Sequence, residues 1–406
     1  MKKVVLLIVA FIAAIAVVAC DTATSPLVIS KVYTTDRQAN NLIELYNPGE
    51  GAIDLSAYAL NFYTNGSKEV STTIQLEGTI ESASYFLIGS GNHNVQSAKE
   101  KIDFQHTTGS LPFNGNDVIE LIFNGNRLDI VGRIGLDYDY SRNTTMIRLG
   151  EPEDYAPKTE YDEFTFIQYA PDLYEFLKND DYEIRTLEQL YAGPQLESRY
   201  LDMPFVSPNN DKLGGGGALV TTLQSIADGD TAAFAGKSQQ GFPGGSMRYF
   251  YINTPEVNST YVIAEPWGYV ASKYNKQYLL NDASSKTIII QSIPGYNLVE
   301  GNGRSLGLVW VNGALSQHLI VREGLTEDVP ITYQPYDVLL TYKKVPYLTF
   351  LRYAEKVAKD NGWGVKGYPA NPNGEKSPDW NFDANGGTGA LATTNPIWEP
   401  HLPLPW

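Results

Sequence analysis

Short apolar runs separated by turn residues fill most of this chain, with one exception at its start. Val4 to Ala19 is apolar without a break, follows Lys2 and Lys3, and stops at Cys20. That run is shorter than the roughly 17–25 residues of a membrane-spanning helix, and no later segment is apolar enough to span. After a short tether, Asp21 to Pro26, the pattern from Leu27 to about Asn179 predicts strands. Leu27–Tyr33, Leu42–Tyr46 and Tyr85–Gly89 are rich in β-branched, aromatic and aliphatic residues. Val118–Phe123 and Arg127–Val131 flank Asn124-Gly125-Asn126, a hairpin signal. Strands with regular turns and no long helix suggest a β-sandwich.

The pattern changes after residue 180. Asp180 to Phe205 is mixed, with a helical stretch at Thr186–Tyr191. Gly214 to Gly217 reads as a flexible linker. It lacks the Gly-Lys-Ser/Thr of a phosphate-cradling loop. Leu219–Ile226 and Met247–Ile252 then predict strands. Alternation along the second places Arg248, Phe250 and Ile252 on one face. Pro266 opens a predicted helix to Leu280. Strands follow at Lys286–Gln291 and Gly307–Val311, and helices at Ala314–Glu323 and from Pro346 or Tyr347 to Asn361. This order suits a small barrel decorated with helices. Tyr368 to Trp406, rich in Pro, Asn, Gly and Trp, reads as an extended tail.

With 406 residues the chain has room for two or three domains. The pattern divides it into a leader (1–19), a tether (20–26), a sandwich (27–179), a connecting segment (180–217), a second domain (218–367) and a tail (368–406). One cysteine excludes a disulfide framework and a Cys-based metal cluster. The four histidines are too dispersed for an HExxH zinc site. The net charge is −16, which disfavours binding of polyanions. The acidity lies elsewhere than in the second domain, however. Residues 218–367 carry 13 Lys and Arg against 12 Asp and Glu.

Val17-Val18-Ala19-Cys20 resembles a bacterial lipobox. The resemblance implies cleavage before Cys20, acylation of that residue, and anchoring on the outer face of the cell membrane.

Leu27–Tyr33, Ile43-Glu44-Leu45-Tyr46-Asn47-Pro48-Gly49 and Ile53–Leu60 together resemble a lamin tail domain. That likeness implies an immunoglobulin-like sandwich, a binding or structural module whose protein or polymer partner the sequence does not name. Glu44 sits in an apolar strand. Alternation points it to the solvent face, and it is assigned no chemistry.

In the second domain, chemistry-bearing residues recur at turns. Asp228-Gly229-Asp230-Thr231 puts two carboxylates after a strand, a way to offer oxygens to a hard cation. Arg248 leads into Asn253-Thr254-Pro255-Glu256. Glu265-Pro266-Trp267-Gly268, Gly303-Arg304, Leu319–Leu325 and Ala354–Ala358 follow in order. These blocks resemble the staphylococcal nuclease (thermonuclease) family, an OB-fold barrel, over about 150 residues. The fold class expected is therefore mostly β and multidomain: a sandwich followed by an OB-fold domain with helices.

The resemblance implies a Ca²⁺-dependent nuclease acting on DNA or RNA. Asp230, Asn253 and the Thr254 carbonyl would hold Ca²⁺, with Asp228 orienting Asp230. Glu256 would position or deprotonate the attacking water. Arg248 and Arg304 would grip the phosphate. Asn253 departs from the family's Asp and brings no charge to the metal. Asn302 stands where the family often has Tyr. Tyr333 and Tyr336 are candidates to stack a base. The competing reading is a non-catalytic surface protein that captures nucleic acid or a protein partner, and a third is an envelope scaffold.

Overall fold

The computed structural model describes residues 25–107, 109–260, 262–367, 387 and 392–406. Cys20 and the leader, and Trp380 in the tail, lie outside the described residues.

The first unit is two stacked antiparallel sheets. One runs Phe166–Tyr169, Thr144–Arg148, Val28–Thr34, Leu42–Asn47, Ser84–Ser90 and Phe104–His106, with the last pair parallel. The other runs Asn126–Val131, Val118–Phe123, Tyr58–Tyr63 and Thr72–Gln75. Ile29, Leu45, Leu60, Phe62, Leu121 and Met146 alternate inward to form the core between them. The expected hairpin turns at Asn124 and Gly125, both at positive φ (49° and 78°), as a twisted two-residue turn requires.

Glu44 departs from expectation. Alternation does turn it away from the sandwich core, but that outer face is covered by the chain around residues 178–180, and Glu44 is fully buried. Its ladder partner is Lys31, whose Nζ lies 2.5 Å from Oε1. The Lys178 backbone N–H donates to Oε2 at 2.7 Å, and Lys31 donates to the Asn179 carbonyl at 2.9 Å. Two buried charges persist here because each is paired and hydrogen-bonded.

The helix at Leu187–Ala192 is capped by Thr186, with Gln189 closing a capping box. The Gly214–Gly217 run is no flexible linker. A Cβ on Gly214 would meet the Ile293 carbonyl at 2.2 Å, and one on Gly215 the Pro204 carbonyl at 2.1 Å. The run is glycine because backbone packs against backbone there.

The second unit is a curled sheet in the order Ala218–Thr221, Ile288–Gln291, Ser305–Val311, Gly245–Tyr249, Thr231–Phe234 and Leu223–Ile226. The predicted strand 219–226 is broken at Thr222. Its two halves form opposite edges of the sheet and are joined through that residue. Ser305–Val311 and Gly245–Tyr249 run parallel. Helices Ser316–Arg322 and Tyr347–Asn361 cover one side. The helix expected from Pro266 starts instead at Gly268, because Trp267 takes a left-handed conformation (φ 71°). It runs as α-helix to Lys273 and widens into a π-helical turn at Tyr274–Leu279.

The final helix also touches the sandwich. Phe350 and Tyr353 share a core with Ile147, Ile167 and Tyr169. Thr349 Oγ1 donates to the Gln168 carbonyl at 2.8 Å, and the Tyr353 hydroxyl to the Phe166 carbonyl at 3.0 Å.

Residues 392–406 are docked rather than free. Trp398 is buried against Tyr274, and Arg322 donates to the Pro403 carbonyl at 2.7 Å.

Candidate active site

Strand register builds the site. Thr231 pairs with Arg248 across an antiparallel ladder, so Asp230 emerges from the strand end beside the arginine. The Tyr249 N–H donates to the Asp230 carbonyl at 2.8 Å and locks that end. Met247 pairs with Ser305 on the other side, which sets Arg304 next to the same pair. The strand with Arg248 ends at Tyr249, three residues earlier than alternation suggested. Tyr251 takes a left-handed conformation (φ 73°) and redirects the chain, so Asn253 and Thr254 return toward Asp230.

Asp230 is buried, and hydrogen bonds reach both its oxygens. Oδ1 receives Arg248 Nη1 at 2.5 Å and the Thr231 hydroxyl at 3.0 Å. Oδ2 receives the Thr254 N–H at 2.7 Å and its hydroxyl at 3.1 Å. Burial pushes its carboxyl up to about 6, opposed by Arg248 and by the Thr254 N–H, and Asp228 adds repulsion. Asp228 Oδ1 accepts the Asp230 N–H at 3.1 Å, the orienting contact expected of it.

The other guanidinium nitrogen of Arg248, Nη2, donates to Asn253 Oδ1. The Asn253 amide in turn donates to Glu327. One guanidinium thus spans the oxygens of Asp230 and Asn253. Among the described residues no three His, Cys, Asp or Glu side chains converge as a metal site. The donors that do converge, the Asp230 carboxylate and the Asn253 amide oxygen, are hard oxygens already facing one cation. They fit Ca²⁺ in donor type and bring a single formal charge.

Glu256 follows Pro255. Its backbone is held by Glu265, whose Oε2 accepts the Glu256 N–H at 2.8 Å and whose N–H donates to the Glu256 carbonyl at 3.0 Å. No described residue donates a hydrogen bond to its carboxylate. Burial raises its pKa, and Asp228 raises it further, while Arg248 and Arg304 pull it down. Arg304 ends a tight turn in which Gly303 takes φ 81°. It is paired through Nε with Glu300, and its Nη1 sits 3.5 Å from the Thr231 hydroxyl.

All six proposed site residues therefore come together. The two tyrosines separate. Tyr333 is buried with its hydroxyl on Thr349 at 2.7 Å, a packing role. Tyr336 lines a groove of about 1030 Å³ with Arg248, Phe250, Asn253 and Tyr296. The sequence reading missed Glu300 and Glu327. Glu300 lies four residues before Arg304, and the tight turn between them brings the pair together. Glu327 had no local signal.

Comparison with known proteins finds two families along the chain. Residues 21–135 match the lamin tail domain family, and residues 246–364 match the family described as staphylococcal nuclease homologue. The second match takes in Arg248, Asn253, Thr254, Glu256 and Arg304, and Asp230 lies before it. A Bacillus subtilis (strain 168) protein named endonuclease YncB is 28% identical over 155 residues. The aligned region is 37% of this chain and 64% of that relative, so the chain spans less than two thirds of the relative's length. The mostly β chain thus joins an immunoglobulin-like lamin tail domain to a staphylococcal-nuclease-type OB-fold domain.

Proposed function

We propose that the chain is a nuclease that hydrolyses phosphodiester bonds of DNA or RNA with Ca²⁺ as cofactor. The observation that carries this is the Arg248 guanidinium spanning Asp230 and Asn253, with Arg304 and Glu256 beside it.

Asp230, Asn253 and the Thr254 carbonyl are the residues to hold Ca²⁺, which when bound neutralises charge on a phosphate oxygen. Arg248 and Arg304 supply N–H donors to the phosphate. Their bonds strengthen as negative charge builds in the transition state, which is where such donors contribute most. Glu256 takes a proton from the attacking water. Its carboxylate is well placed for this, with no described donor on it and a raised pKa. Glu300 holds Arg304 through Nε alone, which leaves Nη donors of that guanidinium for the phosphate.

The test is degradation of single-stranded DNA by residues 21–406 with millimolar Ca²⁺. Activity should vanish with EDTA, with Glu256→Gln and with Arg304→Ala. No cleavage by the wild type under these conditions overturns the proposal. Asn253, an uncharged donor already satisfied by Arg248 and Glu327, favours the second reading of nucleic-acid capture without cleavage. DNA retention unaffected by Glu256→Gln would select it.

We also propose export and lipid anchoring at Cys20 on the outer face of the membrane. Labelling with palmitate that survives Cys20→Ser would refute this.

A further inference from the structure

Asn275 is fully buried, and a buried amide is costly unless its hydrogen bonds are made. Its Nδ2 donates to the Asp228 carbonyl at 2.9 Å. Its Oδ1 accepts the Tyr249 hydroxyl at 3.3 Å. Asp228 opens the turn that presents Asp230, and Tyr249 follows Arg248 on its strand. One side chain therefore ties together both backbone stretches that carry the central ion pair. Ala271, four residues earlier, packs on the same turn: a Cβ on Gly229 would lie 2.7 Å from Ala271 Cβ and 2.6 Å from Thr254 Oγ1. The helix widens into its π turn at Tyr274, next to Asn275. Such widenings frequently occur at functional sites.

The same helix is held by the C-terminal segment. Lys273 Nζ donates to the carbonyls of Pro396 at 3.0 Å and Trp398 at 2.7 Å. Trp398 lies edge-on to Tyr274, with centroids 5.9 Å apart. The Tyr278 hydroxyl bonds Glu399. The buried Glu323 accepts the backbone N–H of His401 at 2.8 Å and of Leu402 at 3.3 Å.

We infer that Asn275 is the positioning residue of the Asp228–Asp230 carboxylate turn, and that residues 392–406 act through its helix to hold it there. The inference rests on the nuclease reading for its consequence in catalysis, and on the contacts above for its geometry. The tail is then a working part of the nuclease unit, although none of its described contacts is with the residues that carry the chemistry.

The test compares Asn275→Leu, Asn275→Asp and Trp398→Ala in residues 21–406. The readouts are hydrogen exchange at amides 228–231, Ca²⁺ binding by calorimetry, kcat and KM on single-stranded DNA, and thermal melting. Asn275→Leu should speed exchange at 228–231 and lower Ca²⁺ affinity and kcat by about 10- to 100-fold, the usual range for residues that orient metal ligands. KM for DNA should change little. Asn275→Asp keeps the acceptor for Tyr249 and loses the donor to Asp228, so it should follow Asn275→Leu. Trp398→Ala should move the same quantities in the same direction by a smaller factor. A lower melting temperature with exchange at 228–231 and Ca²⁺ affinity unchanged would overturn the inference. An inactive wild type in which the variants still speed exchange at 228–231 would remove the nuclease reading and leave the positioning of the turn standing.

Discussion

Thr231 faces Arg248 across an antiparallel ladder, and that pairing sets Asp230 at 2.5 Å from the guanidinium. The arginine reaches Asn253 with its other nitrogen. A planar fork with two donors is needed for both contacts. Arg248→Lys retains the charge and loses the span. Its kcat on single-stranded DNA should fall by roughly 10²–10³, as for loss of one oriented donor. Activity within a factor of two of wild type would show that the span is dispensable.

Asn253 can be given the charge it lacks. Asn253→Asp adds a carboxylate to the cation donors and removes the amide that donates to Glu327. Two acids would then face each other, so the informative variant is Asn253→Asp with Glu327→Gln. It should bind Ca²⁺ about tenfold more tightly, equivalent to roughly 1.4 kcal/mol. Calorimetry that shows no gain would remove Asn253 from the proposed donor set.

The rate should depend on Glu256 ionisation. Its pKa is raised, mainly by burial, so the base form is lost at a higher pH than for a free carboxylate. Activity should therefore decline on the acid side, through that raised value. A rate that stays flat down to pH about 4, near an ordinary glutamate, would exclude Glu256 as the base.

Stability should also fall in acid, for a different reason. His318 is fully buried, and burial with nearby Arg322 lowers its pKa to about 3. The folded protein therefore keeps it neutral, while the unfolded chain takes up a proton near pH 6.5. Stability is complete above that pH and falls below it, by up to ~1.4 kcal/mol per pH unit until about pH 3. Denaturant melts of wild type and His318→Gln should converge as pH drops from 7 to 5. Parallel curves would refute this.

The pair Lys31 and Glu44 should behave as a buried ion pair. Lys31→Met alone strands a carboxylate and should cost about 3–5 kcal/mol. Lys31→Met with Glu44→Leu should recover much of that loss. Specific activity per folded molecule should not change in either variant. A single variant as stable as wild type would mean that solvent reaches Glu44.

Much of this was legible in the chain. Alternation found the sandwich strands, Asn124-Gly125 found their hairpin, and the Asp-Gly-Asp and Asn-Thr-Pro-Glu blocks named residues that the fold brings together. These signals are local: a period of two, a turn, a short spacing. What escaped was set by distant segments. Glu44 did lie on the outer face, but residues 178–180 cover that face and bury it. Gly214–Gly217 suggested flexibility because sequence does not reveal backbone pressed against it. Glu327 and Asn275 reach the site from other loops and helices, and no spacing ties them to Asp230 or Asn253. The start of the helix at Gly268 was obscured because Trp267, an aromatic residue, adopts a conformation that sequence rules reserve for glycine.

The break at Thr222 has a consequence for how copies of this protein meet. A sheet edge with unpaired N–H and C=O groups is a template for adding a foreign strand. In the curled sheet each inner strand pairs with two neighbours, and the two edges are four-residue halves of one bent segment, Ala218–Thr221 and Leu223–Ile226. Neither half offers a long, flat ladder to a neighbour. Strand addition at either edge of this sheet would therefore have only four residues to build on.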